Sequence, residues 1–260
     1  DVIDSLERLR LPTEKNFRYR KGGEYSHQIS LRNLQPNTTY FFRVVSDKKI
    51  SPVFHFRTAP SSDEESFELL FGGDSRSYRH NRIAINKTIK NTFEENPKIL
   101  ALVHGGDFIA DGDDWQQWSH WFEDYSQTTT SNGRILPIIP TRGNHEDDRR
   151  LFNEIFGWPG GRDNYYITQI GSLFLLNLNT EISIGGHQKS WLERQLRWIS
   201  PRARWIIANY HRPAWPAVKS PSYAKKYWVP LFEKYSLDLA FESDGHVLKR
   251  TLPIKNEKVD

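Results

Sequence analysis

Five apolar runs in this chain each end in side chains able to bind a divalent cation. "LLFGGD" ends in Asp74, "LVHGGD" in Asp107, "IIPTRGNH" in Asn144 and His145, "IIANYH" in His211, and "LAFESDGH" in Asp244 and His246. Carboxylate, carboxamide and imidazole donors suit Mn, Zn, Fe(II) or Mg, and the complete lack of Cys removes thiolate sites, cysteine catalysis and disulfides alike. Singly, each ending has a plainer reading. Asp74 and Asp107 fit helix caps or turns, "GNH" fits a tight turn, His211 fits a satisfied buried histidine, and Asp244-Gly245 is ordinary turn chemistry after a strand.

The elements that must position these residues decide between the two. "FELLFGG", "NRIAINKTIKNTFEEN" and "KILALVHGG" read as strand, helix, strand, a βαβ unit whose helix stops before Pro97. "DDWQQWSHWFEDY" predicts a second helix capped by Asp113 or Asp114, and "RILPIIPT" a third buried strand. A hairpin turning at Gly171-Ser172, an amphipathic helix in "HQKSWLERQLRWI", a strand in "ARWIIANY", a helix in "AKKYWVPLFEKY" and a last strand in "LDLAF" follow. In open α/β sheets ligands gather outside the carboxyl ends of strands, so five strand ends could deliver their donors to one rim. Trp115, Trp118 and Trp121, three apart on the second helix, read as core, with a substrate wall as the alternative.

Before this region, residues 25–60 alternate in β fashion: "SHQISL", "TTYFFRVV" and "VFHFRT" are separated by turns at "QPN" and "SDKK". "APSSDEES" breaks the pattern as a linker. Asn37-Thr38-Thr39 matches a glycosylation sequon. Formal net charge is only +4, with both signs interspersed, which argues against nucleic acid as a partner. No run approaches the roughly 20 apolar residues of a membrane span. The chain has no Met and so no initiator, and it reads as a processed or trimmed piece.

The order Asp, Gly-Asp, Gly-Asn-His-Glu, strand-His and a closing Gly-His-containing segment resembles the calcineurin-like metallophosphoesterases, and among them the purple acid phosphatases and their bacterial relatives. "GNHE" is the most specific element, and "HQISLRNLQPNTTYFFRVVS" with "FHFRTAP" resembles the fibronectin-III-like domain that precedes the catalytic domain there. The resemblance implies an α/β fold: a four-layer α/β/β/α sandwich over residues 67–260, after a small all-β fibronectin-III-like domain over residues 1–62. The first 24 residues are too few to finish such a β domain, and relatives continue past "RTLPI", so truncation at either end is expected.

Aligning "KRTLP" without a gap puts His246 under the family's second closing His and Asp244 under the first; the alternative register, with Gly245-His246 as the family's Gly-His, would leave Leu248 at the second ligand position and shift Arg250-Thr251 out of place. The resemblance then implies two divalent ions (Mn, Zn or Fe, with Mg an option). One is held by Asp74, Asp107 and His246, the other by Asp107, Asn144, His211 and Asp244. His145 would face substrate, with support of the ligands as its alternative. Arg76 stands where some relatives carry a metal-binding His; it would grip a phosphate oxygen or be a surface residue. Ala110 replaces the tyrosine whose ferric complex gives purple members their colour, so no such colour is expected. The implied activity is hydrolysis of phosphate monoesters on small molecules, with phosphodiester hydrolysis, or a non-catalytic binding or adhesion role for a degenerate site, as the alternatives. A periplasmic or extracellular location follows by analogy alone.

Overall fold

The computed structural model describes residues 15–18, 25–46, 49–62, 65–146 and 149–259. They fall into two compact units, Asp1–Leu34 and Gln35–Asp260. In the first, β1 (Lys15–Arg18) and β2 (Tyr25–Gln28) form an antiparallel pair.

The second unit opens with β3 (Thr39–Phe42), a small β4–β5 hairpin (Val45–Ser46, Lys49–Ile50) and β6 (Phe54–Arg57), which returns antiparallel to β3. Aromatic cross-strand pairs, Tyr40 with Phe56 and Phe42 with Phe54, line one face of the β3–β6 ribbon.

Strands and helices alternate from there. β7 (Glu68–Gly72), α1 (Arg79–Glu95), β8 (Ile99–His104), α2 (Trp115–Tyr125) and β9 (Ile138–Pro140) build a three-stranded parallel sheet ordered β7-β8-β9. Asp114 caps α2, its carboxylate accepting from the N–H groups of Gln116 and Gln117. β9 is shorter than "RILPIIPT" suggests, because Pro137 and Pro140 lack the N–H a longer ladder needs; as an edge strand it tolerates them. Next comes α3 (Arg149–Phe156), a helix absent from the sequence expectations.

β10 (Tyr166–Ile170) turns at Gly171-Ser172 into β11 (Leu173–Asn177), followed by α4 (Gly186–Ile199) and β12 (Trp205–Tyr210). The expected single helix at "AKKYWVPLFEKY" is two, α5 (Ala224–Tyr227) and α6 (Val229–Lys234), since Pro230 cannot donate to a preceding carbonyl. β13 (Leu239–Glu242) then completes a sheet ordered β10-β11-β12-β13, parallel except for the β10–β11 hairpin. A β14–β15 hairpin (Ile254–Lys255, Lys258–Val259) follows as the last of the described elements.

Four layers result. Phe93 of α1 packs with Ile99, Leu102, Leu136 and Tyr125 against the first sheet. Phe174, Leu176, Ile206, Ala208 and Tyr210 of the second sheet pack against Leu192 and Leu196 of α4 and Leu231 and Phe232 of α6. Between the sheets Phe71 stacks on Phe241 at 3.5 Å, and Asn209 Nδ2 donates to Thr141 Oγ1 at 2.7 Å. Side chains alternate along a strand, so with Ile206, Ala208 and Tyr210 facing the helices, Ile207, Asn209 and the following His211 must face the other sheet.

Candidate metal centre

The carboxyl ends of β7, β8, β9, β12 and β13 deliver their polar residues to one rim through tight turns. Asp74, Asp107, Asp244 and His246 all adopt left-handed backbone, with φ of 56°, 55°, 61° and 49°. Such φ values are uncommon outside glycine, and Asp, Asn and His bear them best. Glycines make the approach possible. A methyl on Gly143 would stand 2.3 Å from Asp107 Oδ1 and 2.4 Å from Asp107 N, so the Asn144 turn can lie against the Asp107 turn only without a side chain there.

His211, wholly buried, is the hub of the cluster. Its Nδ1–H donates to the carbonyl of Gly105 at 2.8 Å, which turns Nε2 toward three oxygens: Asn144 Oδ1 at 3.1 Å, Asp107 Oδ1 at 3.2 Å and Asp244 Oδ1 at 3.7 Å. Donor atoms of Asp74, Asp107 and His211 lie within 4.8 Å of one another. His246 Nε2 stands 3.5 Å from Asp74 Oδ1. An imidazole nitrogen facing only oxygen acceptors, with its opposite nitrogen fixed by a carbonyl, fits a cation seated among those oxygens. All six residues expected as ligands therefore meet in one place, and the oxygen-and-imidazole set fits a divalent ion.

Electrostatics point the same way. Burial raises the Asp74 carboxyl, and the neighbouring Asp107 charge adds to that. Burial also opposes ionisation of Asp107, but the hydrogen bond and charge of His211 and the N–H of His145 outweigh it and hold that carboxyl below its usual range. Burial lowers His211, yet Asp107, Asp74 and the Gly105 carbonyl raise it to about 9, so positive charge is favoured at this spot.

His145 and Arg76 stand beside Asp107 Oδ2, at 3.9 Å from His145 Nε2 and 3.4 Å from Arg76 Nε. The carbonyl of Ala110 accepts from His145 Nδ1–H at 2.7 Å, so Nε2 faces the cluster. Trp118 and Trp121 are buried against Phe108 and Phe122 and belong to the core, while Trp115 is half-buried.

Several supporting residues had no place in the sequence reading. Glu146, buried, accepts from the backbone N–H groups of Asp107, Phe108 and Gly143 at 2.8–3.0 Å, clamping two ligand turns together. Burial and the Asp107 charge push its carboxyl up to about 7. His104 accepts from Gly106 N–H and donates through Nε2 to Ser75 Oγ, which also accepts from Trp121 Nε1–H; burial holds this imidazole down to about 3, so it stays neutral. Lys219 Nζ donates to Asp244 Oδ1 at 2.6 Å. Glu146 was visible in "GNHE", but two of its three partners lie 38 and 39 positions away, and nothing in "AVKSPSY" marks Lys219.

Residues 45–248 match the family model described as calcineurin-like phosphoesterase. The chain belongs to that family. Residues 6–58 further match the purple acid phosphatase N-terminal domain. Among curated relatives of this chain, mouse acid phosphatase type 7 is 26% identical over 263 residues, covering 90% of this chain and 59% of the mouse protein. Purple acid phosphatase 15 of Arabidopsis thaliana is 22% identical over 283 residues, covering 90% of this chain and 51% of the plant protein. The chain thus spans between half and three-fifths of these relatives. A solved structure titled "GAP50 the anchor in the inner membrane complex of Plasmodium" shares the fold, with a TM-score of 0.53 and 17% identity over 67% of this chain and 64% of that one. No helix among the described residues is long and apolar enough to cross a membrane.

Proposed function

We propose that this chain is the catalytic part of a metal-dependent phosphatase that hydrolyses phosphate monoesters of small molecules at a dinuclear site. The observation that carries the reading is the convergence of five strand-end segments: His211 Nε2 faces oxygens of Asn144, Asp107 and Asp244 at 3.1–3.7 Å, and a donor atom of Asp74 lies within 4.8 Å of those of Asp107 and His211. Asp74, Asp107 and His246 would hold one ion and Asp107, Asn144, His211 and Asp244 the other. Two such ions would offset the charge of a phosphate ester and lower the pKa of a bound water toward about 7.

The chain's own residues supply the rest. His145, anchored through Nδ1 on Ala110, holds Nε2 where a proton can pass to the leaving oxygen. Arg76, one quarter exposed beside Asp107, presents a guanidinium to the anionic substrate. Glu146 keeps the Asp107 and Gly143 backbones in register. We read residues 1–62 as a fibronectin-III-like β domain and 67–260 as the phosphoesterase domain; the purple acid phosphatase N-terminal match over residues 6–58 falls within the first, while the phosphoesterase match begins at residue 45. The purple acid phosphatase likeness supports secretion to the periplasm or the exterior.

The test is to strip metals with chelator, restore Mn, Zn or Fe, and follow a chromogenic phosphomonoester and a diester. Activity on the monoester that returns with metal and is lost in Asp107→Asn is the expected result. Preference for the diester would move the reading to a phosphodiesterase. Protein inert under every metal would favour a binding or adhesion role, the reading to which the altered Asp244 and the missing tyrosine at Ala110 point.

A further inference from the structure

Three carboxylates, Asp74, Asp107 and Asp244, meet at this rim, and two cations of the chain's own are already on them. Arg76 Nε lies 3.4 Å from Asp107 Oδ2, and Lys219 Nζ lies 2.6 Å from Asp244 Oδ1. That Asp244 oxygen is the one that faces His211 Nε2 at 3.7 Å. The ammonium thus sits on a donor that the second ion needs. Asp74, Asp107 and His246, the ligands expected for the other ion, carry no lysine among the described residues.

We propose that Lys219 is a built-in competitor for the second metal ion, so that the site loads in order: one ion tightly on Asp74, Asp107 and His246, and a second only when Lys219 leaves Asp244. This rests on the metal-binding reading above and refines it. Charge supplies the reason. One divalent ion together with Arg76 and Lys219 already outweighs the three carboxylates, so a second ion brings two further positive charges into a largely buried cluster, and withdrawal of one of the chain's cations halves that increase.

Lys219 is the one built to withdraw. Its side chain is 48% exposed, against 25% for Arg76. It rides on a segment pinned at its base and exposed at its tip. Ser222 N–H donates to Pro213 O at 2.8 Å, and Ser222 Oγ to Arg212 O at 3.0 Å. Ala214 N–H donates to Glu242 Oε1 at 2.7 Å. Residues 217–221 between these anchors are exposed, Val218 among them at 65%. Swinging the lysine into solvent disturbs no core packing, and a four-carbon stem reaches water easily.

The decisive experiment is calorimetric titration of chelator-stripped protein with Mn²⁺, with bound metal counted by elemental analysis, for wild type, Lys219→Met and Lys219→Arg. Wild type and Lys219→Arg are expected to bind one ion tightly and a second weakly. Lys219→Met should leave the first affinity unchanged and tighten the second by about tenfold or more. A second affinity that is unchanged or weaker in Lys219→Met overturns the competitor role while leaving the metal centre standing. Wild-type protein that takes up no manganese at all overturns the metal reading itself, and Asp107→Asn, expected to bind neither ion, marks that baseline.

Discussion

The backbone N–H of Asp244 donates to both carboxylate oxygens of Asp74, at 3.1 and 2.9 Å, across 170 positions of chain. This bond ties the turn after β7 to the turn after β13, one from each sheet. Ser243, next to it, fills the space against Gly73 and Gly105, where a methyl on either glycine would come within 2.6 Å and 2.0 Å of Ser243 Oγ. The rim is therefore closed by backbone as much as by side chains.

Asp74→Ala should break that tie and strain the turn. An orphaned N–H costs about 1–3 kcal/mol, and alanine in left-handed backbone adds about 1–2 kcal/mol. Asp74→Asn keeps an acceptor and a side chain that tolerates the conformation. The expected order of thermal midpoints without metal is wild type, then Asp74→Asn, then Asp74→Ala, measured by circular dichroism; equal midpoints for the two variants would count against the role given to the turn.

Glu146→Ala should act on metal content without touching a ligand. It leaves three buried N–H groups without their acceptor, a loss of about 3 kcal/mol or more. Removing a group that orients a ligand costs roughly 10- to 100-fold in metal affinity. Glu146→Gln, which retains one acceptor oxygen, should fall between. Manganese titration and urea unfolding of the three proteins check both numbers.

Asp124, which is not itself a metal ligand, gives the fold an acid sensitivity. It is buried on α2 and accepts from Arg79 and Arg82 of α1 at 2.5–3.1 Å, and Arg82 also donates to Ser75 O. Burial raises the carboxyl, but the two guanidinium groups more than offset that and hold it below its usual range. A depressed carboxyl contributes stability that is complete above its unfolded value of 3.8 and is lost as pH falls through the folded value. Asp124→Asn should cost about 3 kcal/mol near neutrality, because Arg82 is left buried without its anion. Its urea midpoint should then fall less than that of wild type between about pH 5 and about pH 2. Parallel losses in the two proteins would remove Asp124 from the account.

Colour offers a test of the position taken by Ala110. Its methyl group cannot bind iron, so the ferric-loaded wild type should show no phenolate-to-iron absorption band in the visible. Ala110→Tyr should acquire one if residue 110 borders the ion held by Asp74, Asp107 and His246, and visible spectra of the two iron-loaded proteins decide it.

Much of the fold was legible in the chain because buried parallel strands read as unbroken apolar runs, and every residue of β8 is buried. Where proline intervened the reading overran, as at β9 and at the α5–α6 break. α3 escaped because its eight residues follow two aspartates in what reads as loop, although Leu151, Phe152, Ile155 and Phe156 were spaced for a helix. Donor types at the rim were legible for the same reason as the strands: each ends an apolar run. Lys219 was not, since its partner Asp244 lies 25 positions away and no pattern links an exposed tip to a carboxylate. Glu146 shows a further limit, because a clamp on backbone N–H groups leaves no trace in the identity of the residues it holds.

The left-handed turns at Asp74, Asp107, Asp244 and His246 narrow which replacements these positions can accept. Aspartate, asparagine and histidine are the non-glycine residues that enter this conformation most readily, and they are also oxygen or imidazole donors. Chemistry and geometry therefore draw on the same small alphabet here. An exchange of one donor for another, such as Asp for His, can keep the loop intact, whereas a branched apolar residue would be rejected by the main chain before any ion was lost.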